Sequence, residues 1–298
     1  MYKKRMNKKA LDKWKNLFLK SINKIPKDCT ISLSGGMDSS SIVYGLIELD
    51  KKPESCITFQ LQDYDSTDLK FTKKICNYYD IPLIIAKMPV RKQKDLRKEV
   101  KEVVRDLGYS RQIDVQCAHA FTYMLPKLKN KNLVLGFFTT LHYSGMSTTS
   151  LMMYRKYKKG YLTLSEYKKA YNKKRNMKPN DNNYLLTKYI ENKNIKVWNP
   201  LLDEDLIKYS SRFIFMDFNE NDEGKLRLKY FLYKMFKKHF DVIGNSNHIK
   251  NFHVEVGLKK YHNDVLLSGT HFKRTIGIYN ELLREIQDEA LSFSLRSQ

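Results

Sequence analysis

The chain has 298 residues, with 55 Lys and Arg against 32 Asp and Glu, giving a formal net charge of +23 at pH 7. Hydrophobic residues make up 42% and aromatic residues 12%, which suits a folded core in one large domain or two closely packed ones and excludes a disordered tail. No run of about 18 apolar residues occurs, so no membrane span is expected. The basic start Met1–Arg5 leads into amphipathic spacing, not a signal-peptide core.

Leu11, Trp14, Leu17, Phe18 and Ile22 fall at helical spacing and predict an opening helix over 7–24, closed by Pro26. A short strand is expected near 29–34, then a turn and a helix to Glu48. Residues 55–61 read as a second strand, and Asp65 and Ser66 can cap a helix whose inner side holds Leu69, Phe71, Ile75 and Cys76. A strand over 81–86, helices over 92–107 and 114–128, and a buried strand over 132–136 follow. Strands and helices alternating at this spacing indicate an α/β fold with a parallel sheet covered on both faces. After about residue 150 strand signals stop. Helical patterns cover 164–178 and 182–193, with 172–183 a polar loop candidate, and a proline turn at 197–203 leads into a helix over 203–214. A single helix is expected over 225–240, then a Gly- and Asn-rich loop at 244–251 and helices at 254–267 and 271–293. The expected organisation is a basic helix (1–27), an α/β nucleotide-binding domain (28–150) and a mainly helical substrate region (151–298).

The most informative stretch is Ile31-Ser32-Leu33-Ser34-Gly35-Gly36-Met37-Asp38-Ser39-Ser40, a strand running through two glycines into a helix. Glycines let the backbone turn sharply and approach a ligand closely. The amides of such a turn and of the helix start form a concave anion site. Ser34, Ser39 and Ser40 add hydroxyls, and Asp38 places a carboxylate where a phosphate-bound Mg²⁺ could sit. The alternative is a glycine turn that only joins strand to helix. The loop is neither a Walker loop nor a dinucleotide fingerprint. Both it and Gly136 fall at carboxyl ends of strands, where ligands of such sheets bind.

Cys29, Cys56, Cys76 and Cys117 form no C-x-x-C pair and read as reduced, mostly buried thiols of a cytoplasmic protein. Lysine clusters over 155–178 and 225–238 are open to two readings: phosphate contacts to nucleic acid with Tyr and Phe for stacking, or a solvated lysine-rich surface. Scarce arginine weighs against base-edge recognition, while attraction of anions such as ATP follows in either case. His119 reads as a packing residue. His142, after a strand's carboxyl end, is open between packing and facing the site, and His239, His248, His253, His262 and His271 show no ligand spacing. Asp203 reads as a helix cap.

The Ser34–Ser40 loop resembles the PP-loop of the ATP pyrophosphatases, which implies an adenine nucleotide α-hydrolase (HUP-like) sheet. Within that superfamily the chain looks like the synthetase domain of asparagine synthetase and β-lactam synthetase. The resemblance rests on the loop, on Cys56–Phe59 followed by Asp65-Ser66-Thr67-Asp68, and on the late stretches Asn199-Pro200-Leu201-Leu202-Asp203 and Lys229-Tyr230-Phe231-Leu232-Tyr233. It covers about residues 28–262. One helix precedes the loop, without a glutamine-hydrolysing domain, so nitrogen would come from ammonia, a substrate amine or a partner's product.

The resemblance implies ATP and Mg²⁺ as cofactors. Ser34, Gly35, Gly36, Asp38, Ser39 and Ser40 would hold phosphates, with Asp38 also at the metal; Phe59 or a neighbouring backbone group would hold adenine, and Gly136 would admit the nucleotide. Asp38, Lys229 and Lys250 are the candidate catalytic residues. In the asparagine synthetase family the fourth strand leads into an acidic segment, whereas here Gly136–Gly145 carries no acid. Three functions stay open: a synthetase that adenylates a small carboxylate, an enzyme that activates a nucleic-acid base by the same chemistry, and a nucleotide-binding protein without catalysis.

Overall fold

A five-stranded sheet forms the centre of the computed structural model, which describes residues 6–62, 64–136, 148–176, 185–248 and 252–296. In chain order the first half contains α1 (Lys8–Ile22), β1 (Thr30–Ser32), α2 (Met37–Glu48), β2 (Ser55–Leu61), α3 (Thr67–Tyr78) and β3 (Leu83–Met88). Then come α4 (Gln93–Leu107), α5 (Gln112–Met124), β4 (Asn132–Val134), α6 (Thr148–Lys158), α7 (Leu164–Asn176), α8 (Leu185–Glu191) and β5 (Lys196–Trp198). The chain continues through α9 (Glu204–Ser210), α10 (Phe215–Asn219), α11 (Tyr230–Met235) and α12 (Lys237–Ile243). It closes with α13 (Phe252–Glu255), α14 (Leu258–Leu266) and α15 (Thr275–Arg296). The α/β class expected from the sequence is the one observed.

All strand pairs are parallel, in the order β3-β2-β1-β4-β5. The sheet grows from β1 towards β3 and then reverses, so a crevice opens between the carboxyl ends of β1 and β4, the position where such sheets bind ligands. The loop after β1 and Gly136 after β4 flank it.

Successive residues of each strand point to opposite faces, and the core divides accordingly. Cys56 and Val134 face a cluster with α1, α2, α11 and α12, whereas Ile57 and Leu133 face one with α4, α5, α8, α14 and α15. On the first face Trp14, Phe18 and Ile22 of α1 are completely buried, each worth roughly 1.5–3 kcal/mol if a leucine- or phenylalanine-sized group is the guide. A side chain at Gly45 would place its Cβ 2.3 Å from Ile22 Cδ1, so this glycine sets the close approach of α1 to α2. Trp14 Nε1 donates to Ser210 Oγ at 2.8 Å and Ser21 Oγ to the Pro200 carbonyl at 2.9 Å, tying α1 to the second half.

Two expectations change. Residues 196–198 do not merely lead into a proline turn; they form β5, pairing Val197 with Leu133 and completing the sheet with a strand from the second half. A three-residue strand is too short to show a period of its own. The helix expected over 225–240 is broken: Leu226 forms a bridge with Glu220, Lys229 is left-handed at φ 57°, and α11 and α12 are separated at Phe236. The side chain of Asn219 captures the Lys229 amide, which a continuous helix would have used internally. All four cysteines are free and buried, as expected. No described helix is long and apolar enough to cross a membrane.

The second face holds His262, wholly buried against His119 (2.9 Å) and Tyr279 (2.6 Å), and α13 holds the buried His253. Burial lowers the proton affinity of His262, with His119 adding to the effect, and burial followed by Lys259 lowers the His253 pKa to about 4. The unfolded chain takes up these protons near the ordinary 6.5 while the fold resists them, so stability is full above that pH and falls as pH drops towards 4. For His253 alone the loss from pH 7 to pH 5 is about 2 kcal/mol. Denaturant melts at both pH values test this: His253→Gln should lose less stability on acidification than the wild type, and equal losses would exclude the assignment.

Candidate functional site

The loop after β1 is shaped by what a side chain would hit. Gly35 has φ 71°, and a Cβ there would lie 2.6 Å from Phe71 Cβ and 3.1 Å from the Asp68 carbonyl. Only glycine combines that conformation with that approach. Gly36 caps α2 with no side-chain bond, so the first amides of the helix have no side-chain cap. One of these, Met37 N–H, reaches the His248 carbonyl at 3.3 Å. Ser34 and Ser39 brace the turn: their hydroxyls lie 3.2 Å apart, Gly36 N–H donates to Ser34 Oγ at 3.3 Å, and Ser39 Oγ donates to the Gly36 carbonyl at 3.3 Å.

Ser40 has a different place. It is fully buried, and its hydroxyl accepts from Asn245 Nδ2 at 3.0 Å, so it anchors the loop from the interior and does not face a phosphate. Asn245 also donates to the Gly35 carbonyl at 2.8 Å and accepts from the Tyr44 hydroxyl at 3.0 Å. Desolvation raises the Tyr44 pKa, keeping that phenol a proton donor. Gly136 likewise serves the loop directly: a Cβ there would lie 2.9 Å from Ser39 N and 3.1 Å from Ser39 Cα. The close approach it permits is that of the start of α2.

Asp38 and Lys229 meet here although they are far apart in sequence. Lys229 Nζ donates to Asp38 Oδ2, and the lysine side chain is 8% exposed. The lysine is aimed by its backbone, since its amide donates to Asn219 Oδ1 at 2.7 Å while Asn219 Nδ2 donates to the Phe215 carbonyl at 2.9 Å. Asp38 Oδ1 is buried and has no hydrogen-bond partner among the described residues. An anionic oxygen in that state suits a cation, so the Asp38 carboxylate fits Mg²⁺ carried on nucleotide phosphates.

Beside the loop, His248 Nε2 lies 2.5 Å from Asp68 Oδ1, and Asp68, His248 and Glu255 offer atoms within 4.8 Å of one another, all buried. This grouping was not expected from sequence, where His248 showed no ligand spacing; the only signal was the Gly- and Asn-rich character of 244–251, which also contains Asn245. Phe59 is wholly buried and meets Phe252 edge-on at 6.4 Å between ring centres. As part of a central strand it packs under α5 and α13, so its ring is not available to adenine. His119 is a packing residue, and Asp203 caps α9 through the amides of Asp205 (3.1 Å) and Leu206 (3.4 Å). Lys250, His142 and the non-acidic stretch from Phe137 to Gly145 lie outside the described residues.

The chain matches no protein-family model and no curated protein. Among solved structures it is similar to the NMN synthetase from Francisella tularensis, at 10% identity over 93% of each chain and a TM-score of 0.36. It is also similar to the U34-tRNA thiolase of Methanococcus maripaludis with its [4Fe-4S] cluster, at 13% identity, over 92% of this chain and 86% of that one, with a TM-score of 0.34. A third is the NH3-dependent NAD synthetase from Campylobacter jejuni, at 14% identity over 93% of each chain and a TM-score of 0.31. Asparagine synthetase and β-lactam synthetase are not among these three.

Asn245→Ala removes the donor to Gly35 and the partners of Ser40 and Tyr44. Leaving buried polar groups unmatched costs roughly 1–3 kcal/mol, so the variant should unfold at a lower denaturant concentration. A denaturant melt checks this; wild-type stability would show that Asn245 does not hold the loop. Gly136→Ala is expected to be destabilising too, because its methyl group meets main chain that cannot swing aside.

Proposed function

We propose that this chain is an ATP-dependent synthetase that adenylates a carboxylate or carbonyl oxygen, releases pyrophosphate, and passes the activated group to ammonia or an amine. The observation that carries this reading is the meeting of Asp38 and Lys229 on a Ser-Gly-Gly loop at the sheet's switch point. The loop amides and the Ser34 and Ser39 hydroxyls suit the ATP phosphates. Asp38 would hold Mg²⁺, which when bound neutralises the charge of the departing pyrophosphate. Lys229 is the only described cation paired to the loop carboxylate, and its ammonium would move to the phosphate oxygens as charge develops there.

The substrate oxygen attacks the α-phosphorus, the bond from that phosphorus to the oxygen leading to the β-phosphorus breaks, and pyrophosphate leaves. The nitrogen nucleophile then attacks the activated carbon and AMP departs. Electrostatic stabilisation of the leaving group is the main demand on the protein. The resemblance to the asparagine synthetase and β-lactam synthetase domain supports a carboxylate as the activated group. A second reading, nucleotide binding without catalysis, is favoured by the absence of acids between Gly136 and Gly145.

Release of AMP and pyrophosphate from α-labelled ATP with Mg²⁺ and a mixture of small acids and amines separates the two. The wild type should form AMP, and Asp38→Ala should form none. Lys229→Met should still bind ATP but turn over roughly 10²–10³ times more slowly. ATP that is bound yet never split, whatever the addition, would make the chain a binding protein.

A further inference from the structure

One strong concentration of positive charge has no role in the reaction above. Thr148–Asn176 contains nine Lys and Arg and one acidic residue, Glu166, so about a tenth of the chain carries eight of its +23 net charges. These residues form the α6–α7 hairpin. It turns at Gly160 (φ 78°), where Gly160 N–H donates to the Tyr157 carbonyl at 3.0 Å and Tyr161 N–H to the Lys156 carbonyl at 2.9 Å. Thr163 and Glu166 then close a capping box, with Glu166 N–H on Thr163 Oγ1 at 3.3 Å and Thr163 N–H on Glu166 Oε2 at 2.8 Å. The one carboxylate of the arm is thus committed to its own helix start.

Much of the apolar side of the hairpin is taken up by packing, although Met152 of α6 stays 48% exposed. Tyr154, Tyr167 and Tyr171 are buried with Ile214, Phe215 and Met216. The outer side presents Arg155, Lys156, Lys159, Lys169 and Lys173, all exposed and without an ion pair among the described residues, and Tyr161 stands at the tip, 74% exposed. The base is fixed to the candidate site. The Tyr154 ring lies 5.3 Å from that of Phe215, and its hydroxyl donates to Glu220 Oε1 at 2.9 Å. Phe215 opens α10, and Asn219 at its end aims Lys229 at Asp38.

We propose that the α6–α7 hairpin binds the sugar–phosphate backbone of an unpaired RNA segment and holds it beside the loop. The assignment of that RNA as the carrier of the activated carbonyl rests on the adenylating reading above. Lysines without bidentate arginine pairs suit phosphate contacts and not base edges. An exposed tyrosine among them offers a platform for a base out of its stack, and a base carbonyl is open to reaction only when unstacked. A membrane surface fits poorly, because binding in a lipid interface needs a broad apolar face and this hairpin has buried Tyr154, Tyr167 and Tyr171 against α10.

The test is fluorescence anisotropy with a labelled single-stranded RNA of about 20 nucleotides, at 50 and 200 mM salt. Four phosphate contacts predict roughly fiftyfold weaker binding at the higher salt. The variant combining Lys156→Glu, Lys159→Glu, Lys169→Glu and Lys173→Glu should lose at least tenfold in RNA affinity, show a shallower salt dependence and bind ATP as the wild type does. If it melts early, the Lys159→Glu, Lys173→Glu pair carries the same readout. Unchanged RNA affinity in a folded variant overturns the proposal, as does tighter binding to duplex DNA or to vesicles containing anionic lipid. RNA bound through the hairpin with no AMP formed removes the adenylating reading and leaves this surface standing. AMP formed with a small acid and no RNA bound removes the surface and leaves the chemistry.

Discussion

The ion pair between Asp38 and Lys229 joins residues 191 positions apart, and the two halves of the chain are arranged around it. A buried pair of this kind adds little net stability, because desolvation offsets most of the attraction, yet either partner alone would be an uncompensated charge. Its value is positional. Lys229 holds a left-handed backbone conformation that costs on the order of 1–3 kcal/mol in a residue with a Cβ. That strain is sustained by Asn219, buried on α10 and bonded to the Lys229 amide. The strained backbone thus places the Lys229 ammonium on the carboxylate at the start of α2.

The same logic makes the second half part of the candidate site. β5 completes the sheet next to β4, Asn245 holds Gly35 and Ser40 in place, and the His248 carbonyl meets the start of α2. The hydrophobic cluster on one face of the sheet runs from Trp14 and Phe18 through Ile31 and Val134 to Phe231 and Phe240. A loop whose shape depends on contacts from residue 245 cannot be set by its own β1–α2 unit alone.

Charge is distributed unevenly over this frame. Between α4 and α15 several basic side chains are matched, with Arg97 on Glu281 and Glu285, and Lys101 on Glu285 at 2.9 Å and Glu289 at 2.7 Å. Exposed pairs like these add little stability singly, but they neutralise that surface. On the outer side of the α6–α7 hairpin, Arg155, Lys156, Lys159, Lys169 and Lys173 have no such match among the described residues, so positive charge collects on the arm packed against α10. A net charge read from composition reports neither fact.

The sequence alone determined the parallel α/β class, the place of the loop, the N-cap of α3 at Ser66 and the reduced state of the cysteines. Each follows from local chemistry: short apolar strands alternating with helical patterns, glycines at a turn, a hydroxyl accepting from Leu69 N–H. Lys229 was legible as a candidate, whereas Asn219, which aims it, was not, because no local pattern distinguishes a buried asparagine that bonds ten residues onward. Asn245 and the pairing of Asp68 with His248 escaped for the same reason. Phe59 and Ser40 looked available to a nucleotide, and only packing showed that one belongs to the core and the other to Asn245. Tertiary structure also made a strand of Lys196–Trp198 and broke the helix expected over 225–240. Local patterns determine which elements can form; which side chains meet across them depends on contacts between residues far apart in the chain.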